Sequence, residues 1–210
     1  MSKTTIPTGG ITADAINGTL IADDAINSEH YTDGSIDTAH IGDNQVTAAK
    51  STGLGISMAD QWRITSNFQG DANPISSNWE RNDTDFAQIG TGLTESSGIF
   101  TFPSTGIYRV DFQHTGSTAS SSDSQYNEAH IRVTTNNTTY NSRATVSSFV
   151  QITGGTDGQY NNYCTAIVDV TDTSNVKIAT YVEVANNNTV TYGSSTRQFT
   201  GITVVRLGDT

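Results

Sequence analysis

The chain has 210 residues, of which 34% are apolar and only 15% charged, and its 10 Lys and Arg against 21 Asp and Glu give a net charge of −11. No stretch approaches about eighteen consecutive apolar residues, which excludes a membrane-spanning helix, and the acidic balance excludes tight binding to nucleic-acid phosphates. A lone cysteine, Cys164, excludes a disulfide within the chain, and the opening MSKTTIPTGG lacks the apolar core of a secretory signal.

Thr (34), Ser (22) and Asn (17) make up 73 of the 210 residues. Thr favours extended backbone, and Asn, Ser and Gly favour turns. Stretches of strong helix formers are missing, so the composition predicts an all-β protein built of short strands and turns.

Residues 1–50 are repetitive. Ile6, Ile11, Ile16, Ile21, Ile26, Tyr31, Ile36, Ile41 and Val46 recur every five residues without a miss. A period of ten is superimposed, with Asp23, Asp33 and Asp43 sharing one phase. On an α-helix each step of five turns about 500°, so the apolar positions would drift around the cylinder. On a flat strand they would alternate faces. Neither element buries all nine alone. A unit of ten residues that bends can present two apolar residues to one axis, and three chains wrapped on a shared axis would stack them into a core. A single-chain solenoid and a regular but disordered linker are the other two readings. Residues 51–59, with two glycines in STGLGISMA, form a hinge.

Residues 60–210 read as a β domain large enough to close one core. QWRITSNF alternates, and GIFTFPSTGIYRVDFQH is two strands around a turn at Pro103–Gly106. EAHIRVTTNNTTYNSRATV is a hairpin turning at Asn136-Asn137. SSFVQI, CTAIVDV, NVKIATYVEV and QFTGITVVRL follow as further strands, with Val176, Ile178, Thr180, Val182 and Val184 on one side. Strands at this spacing indicate a sandwich or barrel.

The run FTFPSTGIYRVDF is similar to the signature of the globular head of the first complement component and of tumour necrosis factor: Phe, five residues, Gly, one residue, Tyr, then aromatics at alternating places. Here Phe100, Gly106, Tyr108, Val110 and Phe112 carry it, with Val110 where the family usually has Phe. Leu93 fits the upstream pattern, Gln88 and Asn82 depart from it, and FTGITVVRL resembles the closing strand. The resemblance implies a ten-stranded jelly roll packed as a homotrimer, with Phe100, Gly106, Tyr108, Val110 and Phe112 in the head core. The stem, in INGTLIADDA and IDTAHIGDNQ, resembles the stalks of phage tail fibres. Together these imply an N-terminal repetitive trimeric β stem followed by a C-terminal jelly-roll sandwich.

Chemistry is sparsely signalled. His30 and His40, ten apart, would form imidazole rings on a trimer axis able to hold a metal or an anion, although solvated histidines are the simpler reading. His114 and His130 lie on head strands without an acidic or Ser motif, and GxSxG, HExxH and phosphate loops are missing. Asp83, Asp85 and Glu95 could make a glycosidase pair or, as DxD, a calcium turn, and members of the resembled family sometimes bind calcium near the head. Those three, with Asp169 and Asp172, read more simply as turn carboxylates. Cys164 reads as buried and inert. Trp62, Trp79 and the loop residues Tyr126, Tyr160 and Tyr163 are aromatics that could stack on sugar rings, the three tyrosines being the candidate glycan contacts.

The expectation is a non-enzymatic homotrimeric phage fibre on the exterior of the virion. It would need no cofactor or metal, attach to other virion proteins through its N-terminus, and contact the host surface, including its glycans, as a tail fibre. A capsid head fibre or decoration protein is the alternative, and a glycan depolymerase a further one.

Overall fold

The computed structural model describes residues 55–118, 123–152 and 155–210, and scattered positions between 9 and 46. The chain divides into two compact units, Met1–Thr52 and Gly53–Thr210. Of the repeat, Ile6, Ile16 and Ile26 lie outside the described residues, as do His30, His40, Asp23, Asp33 and Asp43.

In the first unit the chain bends at Ile11, Ile21, Tyr31, Ile36, Ile41 and Val46. The Ser35 amide donates to the Thr32 carbonyl (2.9 Å), and ten residues on the Gln45 amide donates to that of Gly42 (3.2 Å). The ten-residue period is therefore expressed as a recurring turn, and none of the described residues of this unit lies in a strand. Ile11, Tyr31, Ile36, Ile41 and Val46 are 42–51% exposed.

The second unit is an antiparallel sandwich of two sheets. Its strands are β1 (Ala59–Ile64), β2 (Phe68–Gln69), β3 (Trp79–Arg81), β4 (Thr94–Ser96), β5 (Ile99–Thr101), β6 (Gly106–Thr118), β7 (Ser124–Thr134), β8 (Asn141–Val150), β9 (Gly158–Val170), β10 (Lys177–Val184), β11 (Val190–Thr191) and β12 (Gly201–Gly208). Ten have three residues or more, and β2 and β11 have two. One sheet runs β2-β11-β6-β12-β1-β3, with β9 on the free edge of β6, and the other runs β4-β5-β10-β7-β8. Met58 is buried in the core and Ala59 opens β1, so the last two residues of the expected hinge belong to the head.

Alternation in β6 and β9 sets the layers. Tyr108, Val110, Phe112 and His114 point inward from β6, as do Tyr160, Asn162, Cys164, Ala166 and Val168 from β9. The two strands pair over thirteen positions, from Gly106↔Val170 to Thr118↔Gly158. Phe100, Tyr108, Val110 and Phe112 are fully buried. Gly106 has φ 144°, and a Cβ there would sit 2.7 Å from the Gly208 carbonyl oxygen, so the turn into β6 is closed to side chains. The Asn136-Asn137 hairpin joins β7 to β8, with Asn137 at φ 57°.

Two expected elements differ. SSFVQI is not a separate strand; its first four residues continue β8, whose outward serines lie on the exposed face. GQYNNY is the first half of β9 and not a loop, because Tyr160 and Asn162 face inward and the Asn162 Nδ2 donates to the Asn127 carbonyl (2.7 Å). That bond satisfies a polar group that sequence alone would place in water.

Across the sandwich, Phe100 of β5 is gripped edge-on by Trp62 (5.7 Å between ring centroids) and Trp79 (5.0 Å) from the other sheet. Beneath Trp62 lies Asp60, 1% exposed. Its carboxylate accepts from Trp62 Nε1 (2.9 Å), Arg81 Nε (3.0 Å), the second Arg81 nitrogen (3.2 Å), the Gln61 amide (2.9 Å) and the Leu93 amide (2.7 Å). Gly92 takes φ 71°, and a Cβ there would lie 2.7 Å from the carboxylate.

Replacing Asp60 by Ala leaves the Leu93 amide and Trp62 Nε1 without their acceptor, while Arg81, 35% exposed, keeps the Leu93 carbonyl. The expected cost is about 2–4 kcal/mol, read as a lower urea midpoint of the head transition.

Candidate functional site

The carboxylates singled out by sequence are engaged separately. Asp83 accepts from the buried Arg63 (2.5 Å), which also meets Glu80 at 3.0 Å. That guanidinium contact lowers the Asp83 pKa. Glu95 accepts from the Gly98 amide (2.7 Å) and so closes the β4–β5 turn. Asp85 is exposed at a turn with φ 53°. Asp172 accepts from the Ser174 amide and Asn175 Nδ2, which lower its pKa, and Asp169 accepts from the Thr210 hydroxyl. Each has a local structural partner or lies at an exposed turn.

Cys164 is buried, its thiol pushed up to about 11 by burial, with Sγ 3.7 Å from the Ala129 carbonyl oxygen. His114 is buried between Phe112 and Tyr160, with Nε2 at 3.0 Å from Thr191 Oγ1 and 3.2 Å from the Tyr160 hydroxyl. His130 lies on β7, on the opposite sheet.

The aromatic candidates separate sharply. Tyr160 is buried, its ring against His114, and is closed to a glycan. Trp62 and Trp79 pack on Phe100, and Arg81 covers the Trp62 ring at 4.6 Å. Tyr126 and Tyr163 are exposed but stand on strands β7 and β9 rather than in loops, and Arg109 donates to the Tyr163 hydroxyl (3.3 Å).

Tyr163 belongs to the outward face of the larger sheet. There Ile167 of β9, Arg109 of β6 and Val205 of β12 lie in one cross-strand row. Ile167 is 62% exposed, and Ile107, Tyr163 and Leu207 extend the apolar area. Arg109 is held by Asp111 (3.0 Å), so the apolar residues share this face with a paired charge and with Thr165 and Thr203.

The smaller sheet carries a groove that sequence reasoning missed. Two depressions of about 500 and 330 Å³ share Ile99 and Tyr140 as lining residues. Glu95, Asn137 and Lys177 line the first, and Asn73 and Arg132 the second. An aromatic ring among amides and charges of both signs suits a polyhydroxylated ligand. Tyr140 stands in the hairpin sequence, but only the pairing of β7 with β8 and β10 brings it to Ile99 and Lys177.

No protein-family model matches the sequence, and neither does any curated protein. Solved structures do match in shape. Murine APRIL at pH 5.0 superposes with a TM-score of 0.51 at 11% identity, over 71% of this chain and 98% of that one. Eiger TNF from S. frugiperda superposes with a TM-score of 0.52 at 15% identity, over 74% and 96%. The head has the tumour-necrosis-factor jelly-roll fold. Within this jelly roll the signature residues Phe100, Tyr108, Val110 and Phe112 are all core.

Burial holds the His114 imidazole neutral in the folded jelly roll, its pKa pushed down to about 3 from an ordinary 6.5. Between those values the unfolded chain binds more protons, so stability is lost as pH falls below the unfolded value. By about pH 4.5 this single group should cost about 2–3 kcal/mol. Urea unfolding at neutral pH and at about pH 4.5 measures it, and His114→Gln should flatten that part of the slope.

Proposed function

We propose that the protein is a non-enzymatic, homotrimeric phage fibre whose stem attaches to the virion and whose head meets the host surface. The observation that carries this reading is the state of the repeat in a single chain. Of the six described pentad residues, Ile11, Tyr31, Ile36, Ile41 and Val46 stand 42–51% exposed and Ile21 is partly buried. A self-contained solenoid would turn those residues into its own interior, and their exposure counts against it. Three chains around one axis would bury them together, at about 25 cal/mol for each Å² removed from water. The exposed Ile167, Tyr163 and Leu207 give the head further apolar surface that self-association would cover. The tumour-necrosis-factor jelly roll is in keeping with the trimer implied by the sequence signature.

Host contact is assigned to the Tyr140 groove and the exposed Tyr126. A trimer presents three copies of each, so weak contacts multiply through effective concentration. Of the carboxylates that the sequence offers to a depolymerase, Asp83 is held by Arg63 and Glu95 by a turn amide, which favours binding over hydrolysis.

Light scattering on the whole chain should give the mass of three 22.3-kDa chains, about 67 kDa. A monomer would end the fibre reading. Ile36→Asp with Ile41→Asp should shift the assembly toward smaller species at low concentration. Tyr140→Ala should leave the mass unchanged and lower retention on host-surface polysaccharide by about tenfold, the worth of one aromatic contact of about 1.4 kcal/mol. Labelled antibody on intact particles distinguishes tail from capsid.

A further inference from the structure

The outward face of the smaller sheet holds a cluster that neither the core nor the fibre reading uses. Glu128 of β7 and Glu183 of β10 stand directly opposite each other, and His130 faces Tyr181 in the next cross-strand pair on that face. Like charges directly opposite on neighbouring strands repel. Among the described residues no Arg or Lys forms an ion pair with either carboxylate, and the nearby Arg132 is committed to Asn73 Oδ1 and the Tyr140 carbonyl.

The imidazole between them is unusually well held. His130 is 8% exposed, and its ring stacks on Tyr181 at 4.7 Å. Its Nδ1 lies 2.9 Å from Thr145 Oγ1 and 3.2 Å from Ser142 Oγ. Its Nε2 is buried, has no hydrogen-bond partner, and lies 3.2 Å from Glu128 Oε2. With the Nδ1 proton donated to a hydroxyl, the Nε2 lone pair lies beside the Glu128 carboxylate, while the Tyr181 hydroxyl reaches Glu183. One ligand atom from each of Glu128, His130 and Glu183 lies within 4.8 Å of the other two.

We propose that Glu128, His130 and Glu183 form a site for a divalent transition metal, zinc above all, that ties β7 to β10. An imidazole nitrogen with two carboxylate oxygens suits zinc, which takes such ligands at about 2.0–2.2 Å and completes its shell with water. Calcium, which takes six to eight oxygens, suits it poorly. The hydroxyls on Nδ1 supply the outer contacts that fix a ligating imidazole. The metal also answers the electrostatic problem, because it places the missing cation between two facing carboxylates.

The test is zinc uptake by the full chain after stripping with chelator, beside a Glu128→Gln/Glu183→Gln variant. The wild type should bind one zinc equivalent per chain that the variant lacks, or binds at least tenfold more weakly. Zinc should raise the melting temperature of the wild type and leave the variant unmoved. Uptake by His30 and His40 in the stem would persist in both proteins, so equal uptake overturns the proposal, as does no uptake by the wild type. The metal-free melt checks folding, since relief of the repulsion should leave the variant at least as stable as the wild type. A variant that melts lower is replaced in the same comparison by Glu183→Gln alone, for which the same outcomes are decisive.

Discussion

A carboxylate sealed from water has to be met by donors, and Asp60 draws them from three separate stretches of chain. Trp62 comes from its own strand, Arg81 from β3, and the Leu93 amide from the approach to β4. Meeting that demand fixes the edge of the larger sheet. It holds the Trp62 indole where its ring can clasp Phe100, and it closes Gly92 to any side chain. The aromatic grip on Phe100 joins the two sheets, so a polar constraint at the rim determines how the apolar centre is assembled. Losing one partner would cost far more than the pair contributes, because a buried charge left alone has no cheap alternative.

What the sequence made legible follows from period and turn chemistry. β6 and β10 were readable because apolar residues hold most of their inward places at period two, with His114 and Thr180 the exceptions, and the β7–β8 turn because Asn137 tolerates a positive φ. β3 and β4 are three residues each, too short to show a period, and they exist because β1 and β5 offer them an edge. The first half of β9 was misread because its inward positions are Tyr160 and Asn162, whose polar ends find partners only once β6 and β7 are in place. The same reason turned Tyr160 from a candidate ligand contact into core. The groove at Tyr140 and the group Glu128, His130 and Glu183 were illegible for a different reason. They are products of strand neighbours far apart in sequence, and a spacing in one segment cannot announce them.

The two units solve burial differently. The jelly roll hides its signature aromatics within one chain, with Phe100, Tyr108 and Phe112 wholly covered. Five of the six described pentad residues of the repeat are exposed, and its described turns lie ten residues apart. On the head Ile167 is likewise exposed, beside Arg109, whose charge is paired with Asp111.

The placement of β1 also has a mechanical consequence. The chain enters the sandwich at Ala59 and runs antiparallel to β12, paired from Ala59↔Val205 to Arg63↔Gly201. A pull on the preceding residue, directed along the strand, loads that ladder in shear, so its hydrogen bonds share the force instead of parting one after another. Asp60, the second residue of the strand, is tied sideways to β3 and to Leu93 at that very point of entry. The head is thus tied at the point where tension along β1 would first reach it.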